Sequence, residues 1–203
     1  MLRLYGTAKS RASRALLALE ELSLTYEHVP QIPRPGTADR ETLMGLNPNS
    51  HIPVLEDDGL LVWESIAINL YLADKHGGPL WPTDLAARAA VYQWSLRSQT
   101  EMDRRDWGKA RRGGDEDQVQ VARMEKIETL GVLDAALAVR PWLAGDDFTL
   151  ADLNVASTLS QPNEEGRIDW DRLDPAALGL PALADWLARC TGRPSWARVA
   201  ELP

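Results

Sequence analysis

Residues 47–77 read NPNSHIPVLEDDGLLVWESIAINLYLADKHG, and this stretch predicts two short strands followed by a helix. Two apolar runs flank an Asp-Asp-Gly sequence at 57–59, a pattern that is typical of a tight β-hairpin turn. Apolar residues then recur at helical spacing until the glycine pair at 77–78. Ser65 is predicted to be the N-cap of this helix, because a serine hydroxyl can accept hydrogen bonds from first-turn amides.

The two ends of this stretch also predict a ligand site. Pro53 opens a strand, and because a cis X-Pro bond costs only about 0.5–1 kcal/mol, we expect the Ile52–Pro53 bond to be cis. Such a turn leaves the backbone N–H and C=O of Ile52 free to pair with an extended ligand. The helix start at Ser65 favours a carboxylate, and Glu64 beside it can receive an ammonium. The pattern therefore fits a strand-like ligand that carries one carboxylate and one amine.

The remainder of the chain predicts two domains. Upstream residues indicate a strand at 2–5 with Tyr5 in the core, a helix at 10–22, a strand at 25–29 and a short helix at 40–45. Followed by the hairpin and its helix, this order indicates an α/β, thioredoxin-like domain over residues 1–78. A Gly- and Pro-rich linker follows. Residues 84–203 have helical periodicity throughout and predict an all-α bundle.

One helix start in the second domain has a distinctive pattern. Thr149 and Asp152 have the spacing of a capping box, with Asp in place of the usual Glu or Gln. Phe148, just before them, is placed to act as a hydrophobic staple. Capping boxes are common at helix starts, so this motif alone says little about function.

Composition limits the partners and the location of the protein. The 203 residues contain 30 Asp and Glu against 22 Lys and Arg, a net charge of −8, which argues against nucleic acid or an anionic membrane as the main partner. No apolar run is long enough to cross a membrane, and no signal peptide is expected. The single cysteine, Cys190, suits a packing role in a cytoplasmic protein. The three histidines show no metal-ligand spacing, so no metal is expected.

Three segments together resemble the glutathione S-transferase family. The first is His51-Ile52-Pro53-Val54-Leu55, the second is Glu64-Ser65-Ile66-Ala67-Ile68, and the third is YGTAKSRASRA at 5–15. The third is similar to theta- and delta-type transferases, which have a catalytic serine followed three residues on by a Ser-Arg pair. Ser10 falls on that serine. The segment departs from the family pattern in lacking the usual proline near position 12.

The resemblance implies a glutathione transferase fold, with a thioredoxin-like domain and a helical bundle, and it implies roles for particular residues. Ser10 would be catalytic, and glutathione would be held by Ser10, His51, Ile52, Pro53, Glu64 and Ser65. The first long helix of the bundle would wall the second-substrate site through Trp94, Ser98, Met102 and Trp107. The reaction would be attack of the glutathione thiolate on a small hydrophobic electrophile. The family usually forms twofold dimers, so a homodimer is expected.

Several alternatives stay open at this point. The same fold also occurs in non-catalytic glutathione-binding or interaction modules, because fold does not determine function. An isomerase or peroxidase using the same thiolate is another possibility, although the Ser-Ser-Cys signature of zeta isomerases is missing. Ser10 is a helix cap in the competing interpretation, in which Ser13, Thr7 or a backbone amide holds the thiolate. His51 is equally well explained as an exposed loop residue.

Overall fold

The computed structural model describes residues 1–102, 115–160 and 174–203, which form a sheet-containing N-terminal domain and a helical domain. The strands are β1 (Leu2–Tyr5), β2 (Tyr26–Val29), β3 (Val54–Asp57) and β4 (Leu60–Trp63). The helices are α1 (Ala12–Glu21), α2 (Ala38–Leu46), α3 (Ser65–His76), α4 (Leu85–Arg97), α5 (Glu116–Leu137), α6 (Leu150–Leu159), α7 (Pro181–Thr191) and α8 (Pro194–Ala200). The predicted fold class is confirmed, and the predicted boundary between residues 78 and 84 stays a prediction.

The sheet has the strand order β2-β1-β3-β4. Strand β1 pairs in parallel with β2, and β3 runs antiparallel to both β1 and β4. The predicted hairpin turn is present, with Asp57 inside β3 and the turn formed by Asp58 and Gly59. Both turn residues have positive φ, 49° and 92°, as a two-residue turn that matches strand twist requires.

Helix α1 is the central packing element of the molecule. All eight residues from Ala12 to Leu19 are buried. It packs against β1 and α3 on one side and against α6 and α8 of the helical domain on the other. The helix begins at Ala12, two residues later than predicted, because residues 7–11 form a turn in which the Ser10 amide donates to the Thr7 carbonyl at 3.1 Å.

The outer face of the sheet is polar. The side chains of Leu2 and Leu4 are buried, whereas Arg3 and Tyr5 are half-buried on the opposite face, as strand alternation requires. The Tyr5 hydroxyl donates to the Glu56 carboxylate at 2.8 Å. The expectation that Tyr5 lies in the core is therefore wrong.

The start of α6 is built as predicted. Thr149 and Asp152 form a capping box in which each side chain accepts from the backbone of the other. The Asp152 carboxylate also accepts from the Leu143 amide and the Trp186 indole, both at 2.9 Å. Burial raises the pKa of Asp152, and these hydrogen bonds oppose that rise. Phe148 packs edge-to-face on Trp142, with ring centroids 5.3 Å apart.

The described residues contain neither a membrane span nor a metal cluster. No helix formed by residues 1–102, 115–160 or 174–203 has the length and apolar character to cross a bilayer. Over the same residues, no group of three or more His, Cys, Asp or Glu side chains is placed to share a metal ion. Cys190 is fully buried in the helical core, and this burial raises the pKa of its thiol.

Candidate functional site

The turn that leads into β3 contains the predicted cis bond between Ile52 and Pro53. Asn47 holds this turn from behind: its buried side-chain amide donates to the His51 carbonyl at 3.0 Å and accepts from the Asn49 amide at 3.0 Å. His51 itself is exposed, Ile52 is half-buried and Pro53 is buried. The backbone of Ile52 therefore lies at the entrance of a strand, supported by a buried polar side chain.

The loop between β1 and α1 passes close to this turn. Gly6 has a φ of 133°, and a Cβ placed there would lie 3.0 Å from the Ile52 Cβ and 2.9 Å from the Ala12 Cβ. Only glycine fits this approach. The Gly6 amide donates to the Val29 carbonyl at 2.9 Å, and the Gly6 carbonyl lies 2.7 Å from His28 Nε2. The loop that carries Ser10 is thereby fixed against the cis-proline turn.

Ser10 is half-buried in this loop and already has two hydrogen bonds. Its hydroxyl donates to the Thr7 carbonyl at 2.7 Å and accepts from the Ala12 amide at 3.1 Å. The second bond satisfies the amide of the first residue of α1, whose N-cap residue is Arg11. The hydroxyl must turn away from the Thr7 carbonyl before it can donate to a ligand, so its predicted catalytic role stays a prediction.

The start of α3 differs from its prediction. Glu64 is the N-cap residue, with φ 71° and ψ 115°, and no side-chain cap hydrogen bond is made there within the described chain. Ser65 is the first helical residue, so the N-cap role predicted for it is wrong. A left-handed φ in a residue other than glycine costs energy, and such residues cluster at ligand sites. Glu64 is exposed, which leaves its carboxylate accessible.

The Ser65 side chain joins the start of α3 to helix α1. It is 2% exposed, and its Oγ accepts from Arg14 Nη1 at 3.5 Å. Arg14 is 1% exposed, which is unusual for a guanidinium. The structure thus brings the Ser10 loop, the Ile52–Pro53 turn and the Glu64–Ser65 helix start to one side of the N-terminal domain.

The residues predicted to line a second-substrate site lie along the end of α4 and the π-helical turn at Ser98–Met102. Trp94, Ser98 and Met102 are all buried. Ser98 Oγ donates to the Ser95 carbonyl at 2.7 Å. Trp107 lies outside the described residues. The contact of these residues with a second substrate stays a prediction.

Comparison with known proteins identifies the family. Residues 1–74 match the family model for the glutathione S-transferase N-terminal domain, and residues 102–194 match the model for the C-terminal domain. Glutathione S-transferase GstB of Escherichia coli strain K12 is 31% identical over 214 residues, a span of 100% of this chain and 99% of the relative. The chain belongs to the glutathione S-transferase family. It is accordingly a transferase that uses glutathione.

Other members of the glutathione S-transferase family also resemble the chain over nearly its whole length. Glutathione S-transferase 4 of Zea mays is 35% identical, covering 98% of this chain and 92% of its own. The theta class glutathione S-transferase of Xanthomonas axonopodis pv. citri, solved with glutathione bound, superimposes with a TM-score of 0.81 at 29% identity over 98% of this chain and 97% of its own. A family member from Pseudomonas fluorescens pf-5 with two glutathione bound gives a TM-score of 0.81 at 27% identity, covering 100% and 93%.

Two residues of this transferase's candidate site were not predicted from the sequence. Asn47 had a local signal, because Asn-Pro-Asn is a turn sequence in which an asparagine side chain bonds to nearby backbone. Arg14 had only the Ser-Arg resemblance, and nothing in its neighbourhood along the chain indicates that it is buried next to Ser65. The contact joins residues 51 positions apart and depends on how α1 packs against α3.

Proposed function

We propose that this transferase conjugates the glutathione thiolate to small hydrophobic electrophiles, with Ser10 as the residue that stabilises the thiolate. The observation that carries the proposal is the convergence of three segments on one side of the N-terminal domain. The loop before α1 lies against Ile52 through Gly6, and Ser65 at the start of α3 contacts Arg14 on α1. Each of these segments supplies a different kind of contact to an extended tripeptide.

The contacts match the chemistry of glutathione along its length. The backbone of Ile52 would pair with the cysteinyl residue, as a strand edge pairs with an added strand. Ser65 and the amides at the start of α3 would receive the γ-glutamyl carboxylate, and Glu64 its ammonium. His51, exposed beside the cis turn, would face the glycyl end.

Stabilisation of the thiolate is energetically within reach of this arrangement. A free cysteine thiol has a pKa of about 8.5, so only a few per cent is ionised at pH 7. Lowering that pKa by two units requires about 2.7 kcal/mol. A hydrogen bond from the Ser10 hydroxyl to the sulfur anion supplies roughly 1.5–3 kcal/mol. The N-terminus of α1 adds up to about 1 kcal/mol.

The glutathione thiol first releases its proton to water, and the chemical step then needs only the two substrates and, for an addition, a proton from water. The thiolate sulfur donates an electron pair to an electrophilic carbon, and a carbon–sulfur bond forms. In a substitution the leaving group departs with its electron pair, and in an addition the resulting carbanion takes a proton from water. The electrophile would lie beside Trp94, Ser98, Met102 and Trp107.

The test is the thiolate absorbance of bound glutathione measured against pH in wild type and in Ser10→Ala. We expect Ser10→Ala to raise the pKa of the bound thiol by about 1–2 units, since one charge-assisted hydrogen bond is lost. Turnover at neutral pH should fall about tenfold to a hundredfold, with glutathione affinity nearly unchanged. Ser13→Ala, one turn further into α1, is the matched control.

Other outcomes assign the role elsewhere. If the Ser10→Ala titration overlays wild type and Ser13→Ala shifts it, Ser13 holds the thiolate and Ser10 is a helix cap. Glutathione binding without turnover of any electrophile, hydroperoxide or isomerisable substrate in a panel would favour the non-catalytic module. The two hydrogen bonds that Ser10 already makes favour a structural role for its hydroxyl, and for that reason both serine variants are measured.

We also propose that the transferase is a cytoplasmic homodimer. The exposed large apolar side chains include Leu60 and Trp63 on β4 and Tyr92 and Leu96 on α4. A twofold interface would remove them from water, and self-association buries such patches in many oligomers. Sedimentation of the purified chain would then give twice the 22.5 kDa protomer mass.

A further inference from the structure

A row of buried polar side chains crosses from the N-terminal domain into the helical domain. Asn69 on α3, Asn154 on α6 and Ser95 on α4 are each 0% exposed, and Arg14 on α1 is 1% exposed. Polar groups of this kind are rarely buried so completely, because loss of hydration is costly unless each group is hydrogen-bonded. Their presence at the boundary between two domains requires an explanation.

The hydrogen bonds along this row have one direction. Asn69 Nδ2 donates to the Arg14 carbonyl at 3.2 Å and to Asn154 Oδ1 at 2.7 Å. Asn154 Nδ2 in turn donates to Ser95 Oγ at 2.9 Å. Since the Arg14 carbonyl can only accept, the Asn69 atom that faces it is Nδ2, and the Asn154 atom that faces this donor is therefore Oδ1.

The row is not the arrangement that would give the greatest stability. Asn69 Oδ1 is buried and has no hydrogen-bond partner in the described part of the molecule. A buried acceptor without a donor destabilises the folded state, and a pair of apolar side chains of similar shape would avoid that penalty. A polar network of this kind instead specifies one alignment of the elements that it joins.

The elements that it aligns are those that carry the candidate site. Asn69 lies one helical turn after Ser65 on α3, and the Arg14 carbonyl belongs to the first turn of α1, four residues after Ser10 in the preceding loop. The Arg14 guanidinium also donates to Ser65 Oγ. The Asn69 amide therefore sets the position of α1 relative to α3, and Asn154 fixes that amide from the helical domain.

We propose that Asn154 is a positioning residue for glutathione, acting through Asn69 and Arg14 on the spacing between Ser10 and Ser65. The helical domain would then control binding of the first substrate, in addition to forming a wall for the second. This inference rests on the proposed function, because it assumes that Ser10 and Ser65 contact glutathione. Hydrogen bonds weaken steeply as their lengths and angles depart from the optimum, so a small shift of α3 against α1 is sufficient to weaken binding.

Calorimetric titration with glutathione tests the proposal on the full chain, using Asn154→Ala, Asn69→Ala and the double variant. We expect each single variant to raise the glutathione Kd about tenfold, while KM for an activated aryl halide changes less than about twofold. The double variant should bind no more weakly than the weaker single variant, since both remove the same contact. Ser157→Ala is the control: it is buried on the same helix, donates to the Asn154 carbonyl within that helix, and should bind glutathione as wild type does.

The possible results separate the proposal from its premise. Absence of glutathione binding by wild type would overturn the proposed function. Normal binding by wild type and by both asparagine variants, with only their unfolding temperatures lowered, would overturn the positioning role. Additive losses in the double variant would likewise overturn it, because the two residues would act independently. If Asn154→Ala does not fold, Asn154→Ser, which leaves a smaller cavity, is held to the same criteria.

Discussion

The starts of α3 and α6 use similar residues in different ways. At α6, Thr149 has extended backbone, with φ −126° and ψ 179°, and its capping box is closed by Asp152. At α3, Glu64 has a left-handed φ of 71°, and within the described chain no side chain caps the first turn. The Ser65 hydroxyl, which the sequence predicts as a cap, faces Arg14 instead.

The contrast separates polar residues that serve folding from those available to a ligand. The hydrogen-bonding groups at the start of α6 are satisfied by the chain itself, and Asp152 has four protein donors. At the start of α3, the N-cap residue Glu64 makes no side-chain cap hydrogen bond within residues 1–102, 115–160 and 174–203, and its carboxylate is exposed. A helix start that is left uncapped beside strained backbone is a place where a carboxylate can bind.

The largest effect on stability is expected from Asp152→Ala, which removes the carboxylate that accepts most of the hydrogen bonds at the start of α6. The Leu143 amide, the Thr149 amide and the Trp186 indole would each lose a buried acceptor. At about 1–3 kcal/mol for each buried donor left unsatisfied, the free energy of unfolding should fall by at least about 3 kcal/mol. Guanidinium denaturation followed by tryptophan fluorescence measures this.

Asp146→Ala is the matched control for that change, because it removes the same charge from an exposed position nearby. We expect it to alter the free energy of unfolding by no more than about 0.5 kcal/mol. A loss smaller than about 1 kcal/mol in Asp152→Ala would mean that the α6 start is not the stability centre that its hydrogen bonds indicate.

A smaller effect, on affinity rather than stability, is expected from Ser65→Ala. Loss of a hydrogen bond to a charged group should weaken glutathione binding by about 1–2 kcal/mol in calorimetry. The free energy of unfolding should fall by about 1 kcal/mol or less, since the Ser65 hydroxyl does not cap α3 and its bond from Arg14 is long, at 3.5 Å.

Thr149→Ala should show the reverse pattern. Loss of a capping side chain costs about 1–2 kcal/mol of stability. Glutathione affinity should stay unchanged, because the Thr149 hydroxyl bonds to Ala151 and Asp152 of its own helix start. If Ser65→Ala lowers stability and leaves glutathione affinity intact, Ser65 serves folding as Thr149 does, and the proposed contact with the γ-glutamyl group is wrong.

The smallest effect concerns the far end of α1, where a carboxylate joins the two domains. Burial of Glu21 opposes its ionisation, but hydrogen bonds from Arg193 and Ser195 outweigh it and hold the pKa of Glu21 below its usual value. A lowered folded-state pKa stabilises the protein above the unfolded pKa of about 4.3, and this contribution disappears as the pH falls through the folded value. Because Arg193 is a third exposed, we expect about 1 kcal/mol or less.

Glu21→Gln removes the ionisation of this side chain. It therefore tests whether a carboxylate that joins the two domains contributes to stability, in contrast to Glu64, whose carboxylate is proposed to contact the ligand. Stability measured from neutral pH to about pH 3 should fall less steeply in Glu21→Gln than in wild type, with the two curves converging at the acid end. Curves that run parallel down to that pH would show that the Glu21–Arg193 contact contributes nothing to stability.

Features that depend on a few neighbouring residues could be predicted from the sequence. The Asp58-Gly59 turn and the Thr149–Asp152 box are decided by residues within four positions of each other, and both are confirmed. The role of Ser65 was mispredicted because it depends on the φ of Glu64, and that angle is set where β4 meets α3 rather than by residue type. Residue type alone would assign a serine at the start of any helix as its N-cap residue.

Long-range polar contacts could not be predicted at all. Asn69 and Asn154 are 85 positions apart. Each is a polar residue on the apolar face of its helix, and the spacing of apolar residues does not indicate that the two make contact. The hydrogen bonds of Ser10 are local by contrast, but they depend on a turn over residues 7–11 that replaces the expected first turn of helix. The sequence predicts the residues of the candidate site, and packing determines how each of them is held.

The burial of α1 between the sheet and helices α6 and α8 has a consequence for how the protein is made. All residues predicted to contact glutathione lie within the first 65, but two of the helices that cover α1 come from residues 150–159 and 194–200. At about 5–20 residues per second, a ribosome takes on the order of ten seconds to add the intervening chain. During that interval the buried face of α1 has only half of its partners, so the nascent chain exposes apolar surface, which chaperones recognise, before its substrate site is complete.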